Sequence, residues 1–153
     1  MKVNTPQRIS AWERRKAAIH EAGHAVVGFS FGLAHTARIF PNDNPTPEDR
    51  TWLGQTTFYT AAPGHLEARM IACAGAAAEC GWMGEEVDDI FWQDPDMMSP
   101  TDWQMAGCEP GEVDDLLCEA IYKVGPLVSR GGPLWGDLMH RARLLIRSAR
   151  EPA

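Results

Sequence analysis

The segment from residue 10 to about residue 31 constrains the fold more than any other part of the chain. It is rich in alanine, contains no proline, and repeats apolar residues near one face at helical spacing. Ser10-Ala-Trp-Glu13 has the form of a capping box and predicts the start of a helix, although Thr5-Pro6 would start it a turn earlier. The sequence therefore predicts one long helix near the start of the chain.

This predicted helix carries His20, Glu21 and His24 in the stretch "HEAGH". Residues four apart lie on the same helix face, so both imidazoles can reach one metal ion, with Glu21 beside it. The pattern is typical of zinc hydrolases, in which two histidines hold the zinc and the zinc acidifies a water. The glutamate takes the proton of that water and passes it to the leaving amine. The simpler alternative is a pair of surface histidines, or of core histidines bonded to the backbone.

A catalytic zinc usually has three protein ligands, so the pattern requires a third. Sequence spacing does not choose among the remaining histidines and the many carboxylates. Two carboxylates are well placed: Glu79 on a predicted second helix, and Asp102 in the first turn of a short helix. The other candidates are His35, His65 and His140.

The rest of the chain predicts a mainly α fold of the α+β type, with about five helices and a small β-ribbon or sheet. The alanine and glycine content of the second helix favours close packing against another helix. The predicted elements after the first helix are strands at 35–41 and 53–61, a helix from about Pro63 to 83, a loop at 84–98, a short helix capped by Ser99-Pro100, and helices at 112–129 and 134–149.

Length and composition favour a single domain over residues 1–153 in the cytoplasm. The chain has 153 residues, 44% of them hydrophobic, and its net charge of −7 argues against a nucleic-acid partner. No apolar window reaches the roughly 18 residues of a membrane span, so no direct membrane insertion is expected. The four cysteines form no C-x-x-C pair, which argues against a zinc ribbon or a thioredoxin-type motif. In a cytosolic chain they are expected to be reduced and unpaired.

The acidic charge is concentrated between Glu79 and Glu119, where 13 acidic residues and no lysine or arginine occur. Such a region is either a set of solvated loops and helix faces, or a negative surface around a cation or facing a basic partner.

The stretches "HEAGHAVV", "HTARIFP", "GQTTFY" and "IACAGAAAE" occur in an order and spacing that resemble a known family. The similarity is to the peptidase domain of the membrane-anchored, ATP-dependent zinc proteases, the FtsH-like family. It extends over about residues 10 to 107 and is weak in the last two helices. It implies a zincin-like helical peptidase domain with zinc as cofactor.

The resemblance also implies which residue is the third zinc ligand. In the family this ligand is an aspartate that starts a helix in the context Asn-Asp-Leu-x-x-Ala. Here the matching stretch is Thr101-Asp102-Trp103-Gln104-Met105-Ala106, with threonine in place of asparagine. The resemblance therefore favours Asp102 as the ligand and leaves Glu79 a supporting role, or that of a rival ligand.

Two differences from the family shape the expected activity. The sequence contains no Gly-Lys pair of a motor phosphate-binding loop, and no membrane anchor is expected. The expectation is a zinc metalloendopeptidase that is ATP-independent on its own and hydrolyses short or unfolded peptides. Its substrates would be delivered by an oligomer or by a separate partner, or would already be unfolded.

Two further expectations concern the surroundings of the site. In the family the strand matching "GQTTFYT" lies near the active site, where an extended peptide could pair with it; an ordinary structural strand is the alternative. The second expectation concerns three apolar residues in the acidic loop, Ile90, Phe91 and Trp92. They would line a pocket, form a lid, contact another subunit or simply pack against the domain.

The rival functions are a non-catalytic module that binds zinc or a partner, and a regulatory peptidase that cuts one specific partner protein.

Overall fold

The structure is a computed structural model that describes residues 6–43, 46, 49–58, 65–87 and 94–149. Five α-helices and a two-stranded sheet can be delimited within these residues, which confirms the predicted mainly α fold with a small sheet. The elements are α1 (Pro6–Ser30), β1 (His35–Pro41), β2 (Trp52–Phe58), α2 (His65–Met83), α3 (Pro100–Ala106), α4 (Asp115–Val128) and α5 (Trp135–Ser148), with a 3-10 turn at Pro95–Met97.

The long first helix begins at Pro6, so the helix start predicted from the capping box at Ser10 is wrong and the alternative start is right. Proline suits the first turn because its missing N–H would have no partner there. Ser10 instead accepts a hydrogen bond from the indole Nε1 of Trp52 at 3.0 Å. The carboxylate of Glu13 accepts bonds from the backbone N–H and the hydroxyl of Thr51. Both residues of the apparent capping box therefore attach α1 to the start of β2.

The two strands form an antiparallel pair whose register runs from His35 opposite Phe58 to Pro41 opposite Trp52. Ile39 and Trp52 are buried where the sheet packs against α1. The predicted strand at 35–41 is confirmed. The predicted strand at 53–61 is observed from 52 to 58, and its last three residues lie outside the described part of the chain.

Helices α1 and α2 pack against each other in antiparallel orientation and at close range. A Cβ atom added to Gly23 would lie 2.7 Å from the carbonyl oxygen of Ala74 and 2.8 Å from the Cβ of Ala78. Only glycine allows this approach, because real Cβ atoms do not come so close to their neighbours. The predicted close packing of the alanine-rich helix is confirmed.

Helices α4 and α5 cover the remaining faces, α4 on α2 and α5 on α1. α4 begins at Asp115, three residues later than predicted. The side chain of Asp114 caps this start by accepting a hydrogen bond from the backbone N–H of Leu117 at 2.7 Å. The end of α5 is held by Arg14, which donates to the carbonyl of Ile146 at 2.6 Å. Guanidinium groups stabilise a helix C-terminus in this way, since its last carbonyls lack partners.

All four cysteines are unpaired, as predicted, and Cys73 and Cys80 are fully buried on α2. Within the described ranges, none of the helices combines the length and the apolar character that a bilayer crossing needs.

Candidate metal and catalytic site

Three side chains converge at the point where α1, α2 and α3 meet. The Nε2 atoms of His20 and His24 are 3.0 Å apart. Oδ2 of Asp102 lies 3.3 Å from Nε2 of His20 and 3.4 Å from Nε2 of His24. Together the three residues form a group that could hold a metal ion.

The opposite nitrogen of each imidazole is already engaged. Nδ1 of His24 donates to the backbone carbonyl of Ile71 at 2.6 Å. Nδ1 of His20 donates to Oε2 of Glu79 at 3.3 Å. An imidazole that carries a single hydrogen and donates it from Nδ1 has its lone pair on Nε2, so these partners leave both Nε2 atoms available to a metal ion. Histidine ligands of metals are held in this way by carbonyls and carboxylates.

Glu79 therefore lies behind His20, on the ring nitrogen that faces away from the converging group. Its other carboxylate oxygen, Oε1, is buried and has no hydrogen-bond partner among the described residues. Glu79 contacts His20 from outside the group, whereas Asp102 is the third member of the group that could hold a metal ion.

The spacing of the three atoms fits a tetrahedral metal. Bonds of about 2.0–2.2 Å to nitrogen and oxygen at tetrahedral angles separate the ligand atoms by about 3.3–3.5 Å. The observed separations of 3.0, 3.3 and 3.4 Å are close to this value. Two imidazole nitrogens and one carboxylate oxygen are also a donor set that zinc accepts.

Gly75 leaves the space that this arrangement needs. A Cβ atom at Gly75 would lie 2.6 Å from Nε2 of His20 and 2.6 Å from Nε2 of His24. Ile71, Gly75 and Glu79 follow one another at intervals of four along α2 and so share one helix face. This face supplies a carbonyl for His24, a gap for both rings and a carboxylate for His20.

The charges around the group favour a cation. Burial alone would lower the pKa of His20, but the hydrogen bonds to Asp102 and Glu79 outweigh it and hold the pKa well above the ordinary value. Burial would raise the pKa of Asp102, yet its bonds to His20 and His24 keep that pKa far below its usual range. The pKa of Glu79 is also lowered, against its burial, by His20. The two carboxylates thus stay ionised and stabilise positive charge between them.

Asp102 is positioned by the start of α3. Its backbone N–H donates to the hydroxyl of Ser99 at 3.1 Å, which is the predicted N-cap. The next residue, Trp103, is 1% exposed, and its indole Nε1 donates to the carbonyl of Pro95 at 2.8 Å. Thr101, where the family has asparagine, is exposed. Ser99 and Trp103, rather than residue 101, hold Asp102 in place.

Glu21 is buried between α1 and β2. Its Oε1 atom accepts a hydrogen bond from the hydroxyl of Thr56 at 2.9 Å. A Cβ atom at Gly54 would lie 2.7 Å from its Oε2 atom, so β2 passes the carboxylate at close range. Glu21 is a single residue from His20 and faces the same cleft as the three converging side chains.

The cleft at this site has a volume of about 940 Å³, large enough for a peptide segment. It is lined by α1, the whole of β2, the 3-10 turn and the first turn of α3. Residues 90–92, for which a lining or lid role was predicted, lie outside the described part of the chain.

The other histidines lie away from this group or outside the description. Nε2 of His35 accepts a bond from Nη1 of Arg141 at 3.1 Å, between β1 and α5. Burial and the neighbouring Arg141 charge lower the pKa of His35. His140 is exposed on α5, and the side chain of His65 is outside the described part.

Sequence reasoning missed three residues that shape the site: Gly54, Thr56 and Gly75. Gly75 could have been found, because it precedes Glu79 by one helical turn and so faces the same way. Gly54 and Thr56 share a face of β2, but their contact with Glu21 depends on how the sheet packs on α1.

Neither the models of known protein families nor the curated proteins give a match to this chain. The geometry of the site therefore carries the functional argument.

Proposed function

We propose that this chain is a zinc-dependent metallopeptidase of the FtsH-like type, acting in the cytoplasm on short or unfolded peptides. The observation that carries the proposal is the convergence of His20, His24 and Asp102 in one cleft with the buried Glu21. Two nitrogens and one oxygen would hold the ion and leave a position for water, as in other catalytic zinc sites.

A bound zinc ion would acidify a water molecule and polarise the scissile carbonyl. The carboxylate of Glu21 would take a proton from the attacking water while the water oxygen bonds to the carbonyl carbon. Glu21 then gives this proton to the amide nitrogen, so that the carbon–nitrogen bond breaks and an amine leaves. Glu79 keeps the ring of His20 in the orientation that directs Nε2 into the cleft.

The cleft suits an extended peptide. Among the described residues β2 pairs with β1 alone, and β2 forms part of the cleft wall. A peptide added along this strand would bind through backbone hydrogen bonds, which impose little sequence preference. This mode of binding favours unfolded segments over folded proteins.

The test compares the purified wild type with Glu21→Gln for zinc content and for hydrolysis of quenched-fluorescence peptides. We expect both proteins to hold one zinc per chain, and the variant to lose roughly 10²–10⁴-fold in kcat because it lacks the base. Glu67→Gln changes an exposed glutamate of α2 and is the matched control, with activity and zinc content unchanged.

Each other outcome rejects the proposal in a different way. Zinc retained in a wild type that cuts no peptide identifies a non-catalytic zinc-binding module. A single cut in one folded partner, with no peptide hydrolysis, identifies a regulatory peptidase. A wild type without zinc or activity removes the metal centre altogether.

A further inference from the structure

Strand β2 contacts the carboxylate of Glu21 at two points. The Thr56 hydroxyl lies 2.9 Å from Oε1, and the space that Gly54 leaves open receives Cγ and Oε2. Residues two apart in a strand project from the same face, so both contacts come from the face of β2 that meets α1. The contact is therefore a regular feature of the strand and helix packing.

The Thr56 hydroxyl has one hydrogen to donate and two acceptors within reach. Oε1 of Glu21 is at 2.9 Å, whereas the backbone oxygen of the same residue is at 3.3 Å. The shorter and charge-assisted bond to the carboxylate is the stronger one. Because threonine is branched at Cβ and has few rotamers in a strand, the donor is held in place before substrate arrives.

As a general base, Glu21 would need its side-chain conformation to be fixed by a neighbouring group. A glutamate side chain has three rotatable bonds, and fixing them costs conformational entropy at each turnover unless the protein has already fixed them. Its carboxylate must also meet a water molecule within hydrogen-bond reach for proton transfer to occur.

We infer that Thr56 is a positioning residue for the general base: its hydroxyl holds Oε1 of Glu21 so that Oε2 is the oxygen that takes the proton. Gly54 assists because a Cβ atom there would lie close to both Cγ and Oε2 of Glu21 and would displace that side chain. This inference rests on the proposed peptidase function and adds to it a role for the strand that also borders the substrate cleft.

The test uses Thr56→Val, which keeps the shape and removes the donor, and Thr56→Ser, which keeps the donor. Thr36→Val is the matched control, since it makes the same change at a residue of β1 that does not itself line the cleft. For each protein we would measure zinc content, kcat and KM for one peptide. We would also measure the ¹³C resonance of the Glu21 carboxyl carbon in the metal-free protein, assigned by its loss in Glu21→Gln.

We expect Thr56→Val to lower kcat by on the order of 10–100-fold, the usual effect of removing a group that orients a catalytic side chain. Its KM and zinc content should stay unchanged, and its Glu21 carboxyl resonance should move. Thr56→Ser should restore both kcat and the resonance, and Thr36→Val should alter neither.

A wild-type kcat and an unmoved resonance in Thr56→Val would overturn the inference while leaving the peptidase proposal intact. Loss of zinc, or an equal loss in Thr56→Ser, would show that residue 56 has only a structural role and would also overturn it. If the wild type hydrolyses no peptide, the proposed function fails, and the resonance then reports separately whether the Thr56 bond exists.

Discussion

At the scale of single residues, the site is tested most clearly by adding a side chain at a glycine that lies beside both histidines. Gly75 leaves room for both Nε2 atoms, and a Cβ atom there would lie 2.6 Å from each of them. We expect Gly75→Ala to displace the imidazoles and to abolish stoichiometric zinc binding, as measured by metal analysis after dialysis.

The control for this variant is Gly136→Ala in α5, where an added Cβ would meet nothing within 4 Å. Alanine is the better helix former by up to about 1 kcal/mol, so this control should keep its zinc and be slightly more stable. Stoichiometric zinc in Gly75→Ala would contradict the assigned geometry.

The two carboxylates near the histidines should respond differently to removal of their charge. Asp102→Asn should lose bound zinc, because it removes the negatively charged oxygen donor from the converging group. Glu79→Gln should keep the site but weaken zinc binding by roughly 10–100-fold, since Glu79 only orients His20. Competition with a chelator of known affinity measures both, with the exposed Asp137→Asn as control. The reverse order of effects would make Glu79 the ligand.

The sequence alone indicated His20, Glu21 and His24, because helical spacing fixes which residues share a face. It left the third ligand open, and the family resemblance, not the spacing, favoured Asp102. Residues 79 and 102 both come near His20 in the fold, on opposite sides of its ring. Only the packing of α2 on α1, and of α3 on α2, determines which side is which.

At the scale of elements, the contact between β1 and α5 should respond to pH through His35. Its Nε2 accepts a bond from Arg141, which only the neutral ring can do, and burial followed by the Arg141 charge lowers its pKa. The unfolded chain keeps a histidine pKa of about 6.5. The stability that neutral His35 provides is therefore present above that pH and is lost as the pH falls through the folded pKa.

We expect the thermal midpoint of the metal-free wild type to fall more than that of His35→Gln between about pH 8 and about pH 5.5. Glutamine still offers Arg141 an acceptor but takes up no proton. His20 has a raised pKa and acts in the opposite direction, stabilising at low pH, but both proteins share it. Equal falls in the two proteins would show that His35 does not contribute.

The sequence predicted the presence of helices and strands better than the residues at which they begin and end. The strand at 35–41 and the short helix capped by Ser99 follow from local signals, namely alternation and a cap before proline. The start of α1 did not follow from its apparent capping box. Ser10 and Glu13 make tertiary bonds to Trp52 and Thr51 instead, and such long-range contacts leave no local signature.

At the scale of the whole molecule, the candidate site exists only where four elements meet. α1 supplies His20, Glu21 and His24, α3 supplies Asp102, α2 supplies the face that contacts both histidines, and β2 contacts Glu21. Because the ligand atoms come from residues 20, 24 and 102, a bound metal would tie the start of the chain to its middle.

The most direct test of the central claim is a crystal structure of the zinc-loaded protein with anomalous data at the zinc edge. We expect one peak, within about 2.0–2.2 Å of Nε2 of His20, Nε2 of His24 and a carboxylate oxygen of Asp102, with a water in the remaining position. A peak elsewhere, or a fourth protein side chain in place of the water, would contradict it.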